Sequence, residues 1–298
     1  KGTGMVDAVQ TDIFHQVDKP EVDILFVVDD SCSMSDEQES IAVNFSSFIE
    51  FATKQNLDYH IAVTTTDLED SFSSGGSENG RFVPLDNPLN RVITPQTLPS
   101  PNEVFSQNVL VGTEGSGTEQ GLEAAYLALS DPLINTHNAG FLRPDSHLSI
   151  VFVSDEEDQS DGTFSTVADY LNFFQNIKGF RNTNLFSANA IILLDSVCGS
   201  GGGGTEGLRY KFVAESAGGV VEPLCTPDWS ISLQNLGKQV FGYKSQFFLT
   251  NYPEADSVKV KIDGNEMQQK QDNQTLWSYD TDANSVGFSP FAIPEPGS

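Results

Sequence analysis

VDILFVV, residues 22–28, followed at once by DDSCSM, residues 29–34, decides the fold. The first seven residues are apolar at nearly every position, as in a central parallel strand covered on both faces. The next six are short, polar and rich in oxygen, so the strand ends in a loop that cannot be buried in an apolar core. A helix is predicted directly after it. Asp36, Glu37 and Glu39 crowd its first turn, where the helix dipole favours anions. Ile41, Phe45, Phe48 and Ala52 then recur at helical spacing.

The same alternation continues outward from this strand. YHIAVT (59–64), LSIVFV (148–153) and 188–194 read as further strands. Helices are predicted at 118–129, around Val167–Phe174, at 206–217 and at 230–241, the last capped by Ser230. Strands alternating with helices imply βαβ units and a doubly wound, mainly parallel α/β sheet flanked by helices.

Three departures divide the chain into expected parts. Residues 1–20 are polar, lack a period and read as a leader segment leaning on the domain. Residues 67–117 form a long insertion in the α/β domain at 21–243, with SFSSGGSENG at 71–80 and a hairpin expected around Arg81–Val83 and Arg91–Ile93; insertions of this length tend to carry function. After Tyr243 the pattern changes. Val258, Val260 and Ile262 alternate with lysines, Asp263-Gly264 is a hairpin signal, and Trp277, Tyr279, Val286 and Phe288 suggest further strands. Residues 244–298 therefore read as a small antiparallel β module.

Forty-two acidic against 15 basic residues give a formal charge of −27. Such a chain repels nucleic acid and anionic lipid and attracts cations and basic protein surfaces. No apolar run is long enough to span a bilayer, so no direct membrane insertion is expected. No signal peptide is present, and KGTGMVDAVQTD reads as a trimmed start. Cys198 and Cys225 flank a Gly-rich loop and are expected to form a disulfide, with Cys32 left free and packed beneath its loop.

The chemistry concentrates at the end of the first strand. Asp29, Ser31 and Ser33 form a D-x-S-x-S string at the carboxyl end of a buried strand, where open α/β sheets bind ligands. One carboxylate and two hydroxyls are hard oxygen donors, suited to Mg²⁺, Ca²⁺ or Mn²⁺ and not to zinc. Thr118, in GSGT (115–118), and Asp155, just after the strand LSIVFV, add two donors from two more loops. These stretches resemble the first, second and third metal loops of the von Willebrand factor A-type (VWA) family, in the same order, over roughly residues 20–243. The resemblance implies a metal-ion-dependent adhesion site. Ser31, Ser33 and Thr118 would be direct ligands, with Asp29 and Asp155 holding one divalent cation, Mg²⁺ by first choice, directly or through water. Two positions depart from the family: Cys32 stands where glycine is common, and Glu156, Glu157 and Asp158 fill a loop that is usually simpler.

Neutral hydroxyls leave such a cation under-neutralised, with a coordination position open to an outside oxygen. In the family a Glu or Asp carboxylate of a protein ligand fills it. A non-enzymatic, metal-dependent adhesion protein, exported to the cell surface or exterior and including periplasmic or outer-membrane attachment, is the expected function. Glu156, Glu157 and Asp158 are expected at its rim or at a second cation. Two alternatives stand beside it: a structural-metal subunit of a surface assembly binding through the insertion and β module, and a metal-dependent hydrolase. Other signals fail on spacing. DEEDQSDG (155–162) puts the closing position of a calcium loop on Ala168, and the Gly199–Gly204 run lacks the lysine of a phosphate loop.

Overall fold

The computed structural model describes residues 10–14, 21–68, 79–179, 182–194, 204–226, 228–241, 246–271, 274–281, 284–289 and 292–294. The chain divides into two compact units, Lys19–Gly242 and a second comprising Lys1–Asp18 with Tyr243–Ser298.

The larger unit holds strands β1 (Glu21–Val28), β2 (Asp58–Thr65), β3 (His147–Ser154), β4 (Phe186–Ile192) and β5 (Val221–Pro223). Its helices are α1 (Ser35–Gln55), α2 (Pro101–Asn108), α3 (Gly121–Leu129), α4 (Val167–Asn176), α5 (Leu208–Ser216) and α6 (Trp229–Val240). The five strands lie in the order β2-β1-β3-β4-β5, and every pair is parallel. Strand alternation explains why β1 is continuously apolar from Ile24 to Val28. Val22, Ile24, Phe26 and Val28 join one core with residues of α1, α2 and α6, while Leu25 and Val27 join another with residues of α3, α4 and α5. Both faces are therefore covered, and the sheet is doubly wound as expected. The helices α1, after β1, and α3, before β3, lie on opposite faces, and the strand order reverses between β1 and β3. A crevice at the carboxyl ends of those two strands follows.

The start of β1 is closed by charge pairing. Asp23 is fully buried and accepts from Arg143 Nε at 2.7 Å and Arg143 N at 2.8 Å, with Lys178 Nζ at 3.4 Å. Paired in this way, a buried carboxylate is tolerated in the core.

Element boundaries depart from the sequence reading in places. α3 starts at Gly121 and leaves Thr118 in the preceding loop. α6 is capped by Asp228, whose carboxylate accepts from Ser230 N–H, and not by Ser230 itself. The hairpin expected in the insertion does not form. Val83 N–H donates to Val63 O, and Ile93 bridges Ile61, so both segments lean on the edge strand β2. α2, capped by Ser100 with Pro101 in its first turn, was not anticipated. No described helix is long and apolar enough to cross a membrane.

In the smaller unit, β6 (Gln246–Phe248), β11 (Trp277–Asp280) and β12 (Ser285–Phe288) form an antiparallel sheet in the order β11-β12-β6. β7 (Val260–Ile262) and β8 (Asn265–Met267) form a hairpin, and β9 (Lys270–Gln271) pairs with β10 (Gln274–Thr275). Asp263 and Gly264 both have positive φ (50° and 82°), the geometry of the hairpin turn read from the sequence. The described part of the predicted leader belongs to this unit. Asp12 accepts from Thr250 Oγ1 at 2.7 Å, and Phe14 packs on Phe247 with ring centroids 5.3 Å apart.

Candidate functional site

Three loops meet at the carboxyl ends of β1, β2 and β3. The first begins at Asp29, whose N–H still belongs to the sheet, donating to Val153 O at 3.0 Å. The Asp29 side chain is fully buried. Its Oδ1 accepts from Ser31 N–H at 2.8 Å and its Oδ2 from the Ser154 hydroxyl at 2.6 Å. The carboxylate is thereby fixed in orientation by its own loop and by the end of β3. Ser31 and Ser33 Oγ lie 3.3 Å apart, so the alternation of D-x-S-x-S puts both hydroxyls on one side of the loop. Between them Cys32 is a free, exposed thiol, whereas Met34, two residues on, is fully buried. The expectation that Cys32 packs beneath the loop fails: Met34, not Cys32, is the apolar side chain of this loop that joins the core.

Gln38 on α1 pins this loop to the end of the insertion. Its Nε2 donates to Asp29 O (3.0 Å) and Gly112 O (2.7 Å), and its Oε1 accepts from Gly112 N–H. The second loop then docks on the first. Gly115 N–H donates to Asp30 O at 3.0 Å, and a Cβ at Gly115 would lie 2.4 Å from Asp30 Cγ. Only glycine admits the Asp30 carboxylate there. Thr118 follows, its N–H held by Ser116 Oγ at 3.0 Å.

The next residue, Glu119, was not singled out in the sequence and is fully buried. Its Oε2 accepts from the Thr66 hydroxyl, and its backbone carbonyl accepts from Gln159 N–H at 2.6 Å. Thr66 N–H in turn donates to Val28 O, beside Asp29. In a loop there is no periodicity to say which way a side chain points, so the sequence gives no signal for this inward acid.

The third loop carries Asp155 and the three acids expected at the rim. Asp155 O accepts from Thr205 N–H at 2.9 Å, which ties the loop to the approach to α5. The rim acids separate. Glu156 is half-buried and shares the electrostatic environment of Asp29 and Asp155. Glu157 instead caps α5, accepting from Leu208 and Arg209 N–H (3.1 and 2.9 Å). Asp158 is buried, caps α3 through Leu122 N–H at 3.0 Å and pairs with Arg209 Nε at 3.1 Å. Two of the three are thus committed to helix termini, where carboxylates satisfy orphan N–H groups.

The electrostatics of the cluster are one-sided. Burial, reinforced by Asp155, raises the Asp29 pKa against the hydrogen bonds that lower it. Burial, then Asp29, lifts Glu119 well above the carboxylate range. Glu156 and Glu37 are raised by burial and by the same neighbours. Three buried carboxylate oxygens in this group, Asp155 Oδ1, Glu119 Oε1 and Glu37 Oε2, have no hydrogen-bond partner. Among the described residues no three His, Cys, Asp or Glu side chains form a metal-binding group; the predicted set draws most of its donors from hydroxyls instead. Cys225 is not a free thiol, and Cys198 lies outside the described residues.

No family model matches the chain, and no curated protein does. Among solved structures, it is similar to proximal thread matrix protein 1 from the mussel byssus, at 11% identity and a TM-score of 0.41. The likeness covers 76% of this chain and 48% of that one, so the chain spans about half the length of that neighbour.

Proposed function

We propose that the larger unit is a VWA-type domain that holds one divalent cation through Asp29, Ser31, Ser33, Thr118 and Asp155. Through it the domain binds a partner protein by an Asp or Glu carboxylate. The observation that carries this reading is Asp155 Oδ1, a buried carboxylate oxygen without a hydrogen-bond partner, in electrostatic contact with Asp29. An unsatisfied buried carboxylate oxygen is costly, and a hard cation is the partner that would satisfy it. When bound, the cation supplies an electrophilic position for an outside oxygen. Asp29 is set for this by Ser31 N–H and Ser154, which fix its orientation before any ligand arrives. The chain's charge of −27 selects a partner with basic residues around its acceptor acid.

On this reading the protein is exported, acts outside the cell or at its surface, and carries a Cys198–Cys225 bridge. It is a binding protein, not an enzyme. Magnesium is the first choice of ion, with calcium and manganese as the other candidates.

Chelation tests the proposal. At a cation concentration of about 100 Kd the bound ion stabilises the fold by about 2.7 kcal/mol. In a domain of this size that corresponds to a rise in Tm of about 5–10 °C. EDTA should remove that rise and abolish capture of a partner from an extracellular extract. Asp29→Ala should do the same while keeping the far-UV CD spectrum. Partner capture that survives chelation would favour a structural metal, and metal-dependent ester or phosphate turnover would favour a hydrolase.

A further inference from the structure

We infer that a cavity in the long insertion is a binding site for a neutral saccharide. The cavity measures about 420 Å³, within the size range of small-molecule sites, and shares no lining residue with the cation site proposed above.

The fold sets the walls of this cavity before any ligand arrives. Val83 N–H donates to Val63 O at 3.0 Å, which fixes one wall to the edge strand β2. The Asn108 side chain is buried at the end of α2. Its Nδ2 donates to Val83 O (3.3 Å) and to Asn90 O (2.8 Å), so it joins α2 to two separate stretches of the insertion. Ser106 Oγ donates to Ala42 O at 2.7 Å and holds α2 on α1. Arg91 is committed to the backbone, its Nε donating to Pro84 O at 3.1 Å and its Nη2 to Leu85 O. Walls fixed in this way lower the ordering cost that a ligand must overcome.

The lining chemistry then selects the ligand. Asp86, Asn87, Asn90, Gln107 and Asn108 line the cavity, whereas small-molecule sites are usually mostly apolar with few polar groups. Among the described residues nothing bonds the Asp86 carboxylate or the Gln107 amide, and Asn108 Oδ1 has no donor. An amide oxygen on a buried side chain, left without a donor, is a place for a ligand hydroxyl. Side-chain amides both donate and accept, and a carboxylate only accepts. Sugar hydroxyls do both. A neighbouring pair of them can donate to Asp86 while accepting from Gln107 or Asn90 Nδ2. Leu110, about half exposed, offers an apolar contact to the ring C–H groups. No Lys, Arg or His lines the cavity, so an anionic ligand would meet Asp86 without a countercharge. One carboxylate with no aromatic ring in the lining offers a cation little beyond what the acidic surface offers everywhere.

The test is saturation-transfer NMR on the whole chain with glucose, galactose, mannose and N-acetylglucosamine, followed by titration of those that bind. At least one should bind, with a Kd of about a millimolar for a ligand of this size. Asp86→Ala should weaken it by about tenfold or more, and Gln107→Ala by about fivefold. Both side chains are exposed, so both variants should keep the parent Tm. Glucuronate, which adds a carboxylate to the same ring, should bind more weakly than glucose. Absence of binding by all of these sugars would overturn the inference. So would parent affinity in both variants, or a preference for glucuronate or for lysine amide over the neutral sugars.

Discussion

Ser154→Ala removes one hydroxyl from the end of β3 and should cost far more than its size suggests. Ser154 Oγ donates to Asp29 Oδ2 at 2.6 Å and accepts from Glu156 N–H at 3.0 Å. Both it and Asp29 are fully buried, so water cannot replace the bond between them. A hydrogen bond to a charged group contributes about 1.5–3 kcal/mol, and the N–H of half-buried Glu156 left unpaired costs up to about another 1 kcal/mol. Alanine is smaller and leaves no clash, so the loss is close to the sum, about 2–4 kcal/mol. For a domain of 150–250 residues each kcal/mol moves Tm by about 2–4 °C. A fall of roughly 5–15 °C follows, measured by calorimetry in the presence of cation. Part of that loss belongs to the pair and part to the loop, and a double-mutant cycle with Asp29→Asn separates them. The coupling energy should be about 1–3 kcal/mol, because the hydroxyl acts on the Asp29 carboxylate. Cation affinity in Ser154→Ala should fall by about tenfold or more, since the carboxylate loses the contact that fixes its rotamer. A coupling energy near zero, or unchanged cation affinity, would refute the idea that Ser154 positions Asp29.

Two further expectations concern the scaffold. Gly237→Ala would place a Cβ 2.1 Å from Phe48 O, forcing α6 away from α1; the overpacking should cost about 1–3 kcal/mol, and an unchanged urea midpoint would contradict that packing. His137, whose ring nitrogen donates to Phe82 O at 3.0 Å, has its pKa lowered from 6.5, first by burial. The unfolded chain therefore binds this proton more readily, so stability is full above 6.5 and is lost as pH falls through the lower folded value. Urea midpoints taken between about pH 7.5 and 5.5 should decline, and His137→Gln should flatten that decline.

The α/β layout was legible because it rests on burial patterns that no other arrangement satisfies. β1 is apolar on both faces only if both faces are covered, and Val22 to Val28 say so without ambiguity. The helices with clear stripes, α1 and α4, appear where the spacing puts them. Elements defined by capping and by partner choice were harder. Asp228 and Ser230 are equally good caps on paper, and the choice depends on a backbone turn. The insertion segments around Val83 and Ile93 bond to β2 instead of to each other, a matter of long-range pairing that local turn signals do not encode. The convergence of Asp29, Ser31 and Ser33 in one loop at the end of β1 was legible through their spacing. The burial of Glu119 was not, and neither were the helix-capping roles of Glu157 and Asp158. An acid in a loop looks the same in sequence whether it caps a helix, lines a rim or faces inward.

The strand β1 contains its own comparison for the proposed cation. Asp23 near its start and Asp29 just beyond its end are both fully buried carboxylates, six residues apart on one chain. At Asp23 the fold supplies positive charge, Arg143 Nε at 2.7 Å and Lys178 Nζ at 3.4 Å. At Asp29 it supplies an N–H and a hydroxyl, and surrounds them with Asp155, Glu119 and Glu156. A chain able to pair a buried acid with two basic side chains at one end of a strand gives the other end acids of the same sign. Like charges assembled out of water repel strongly unless something positive joins them. The Asp23 network shows what a purely structural solution looks like in this fold. The carboxyl end departs from it in the direction that the proposed divalent cation would correct, and Asp155 Oδ1 is the oxygen it would satisfy.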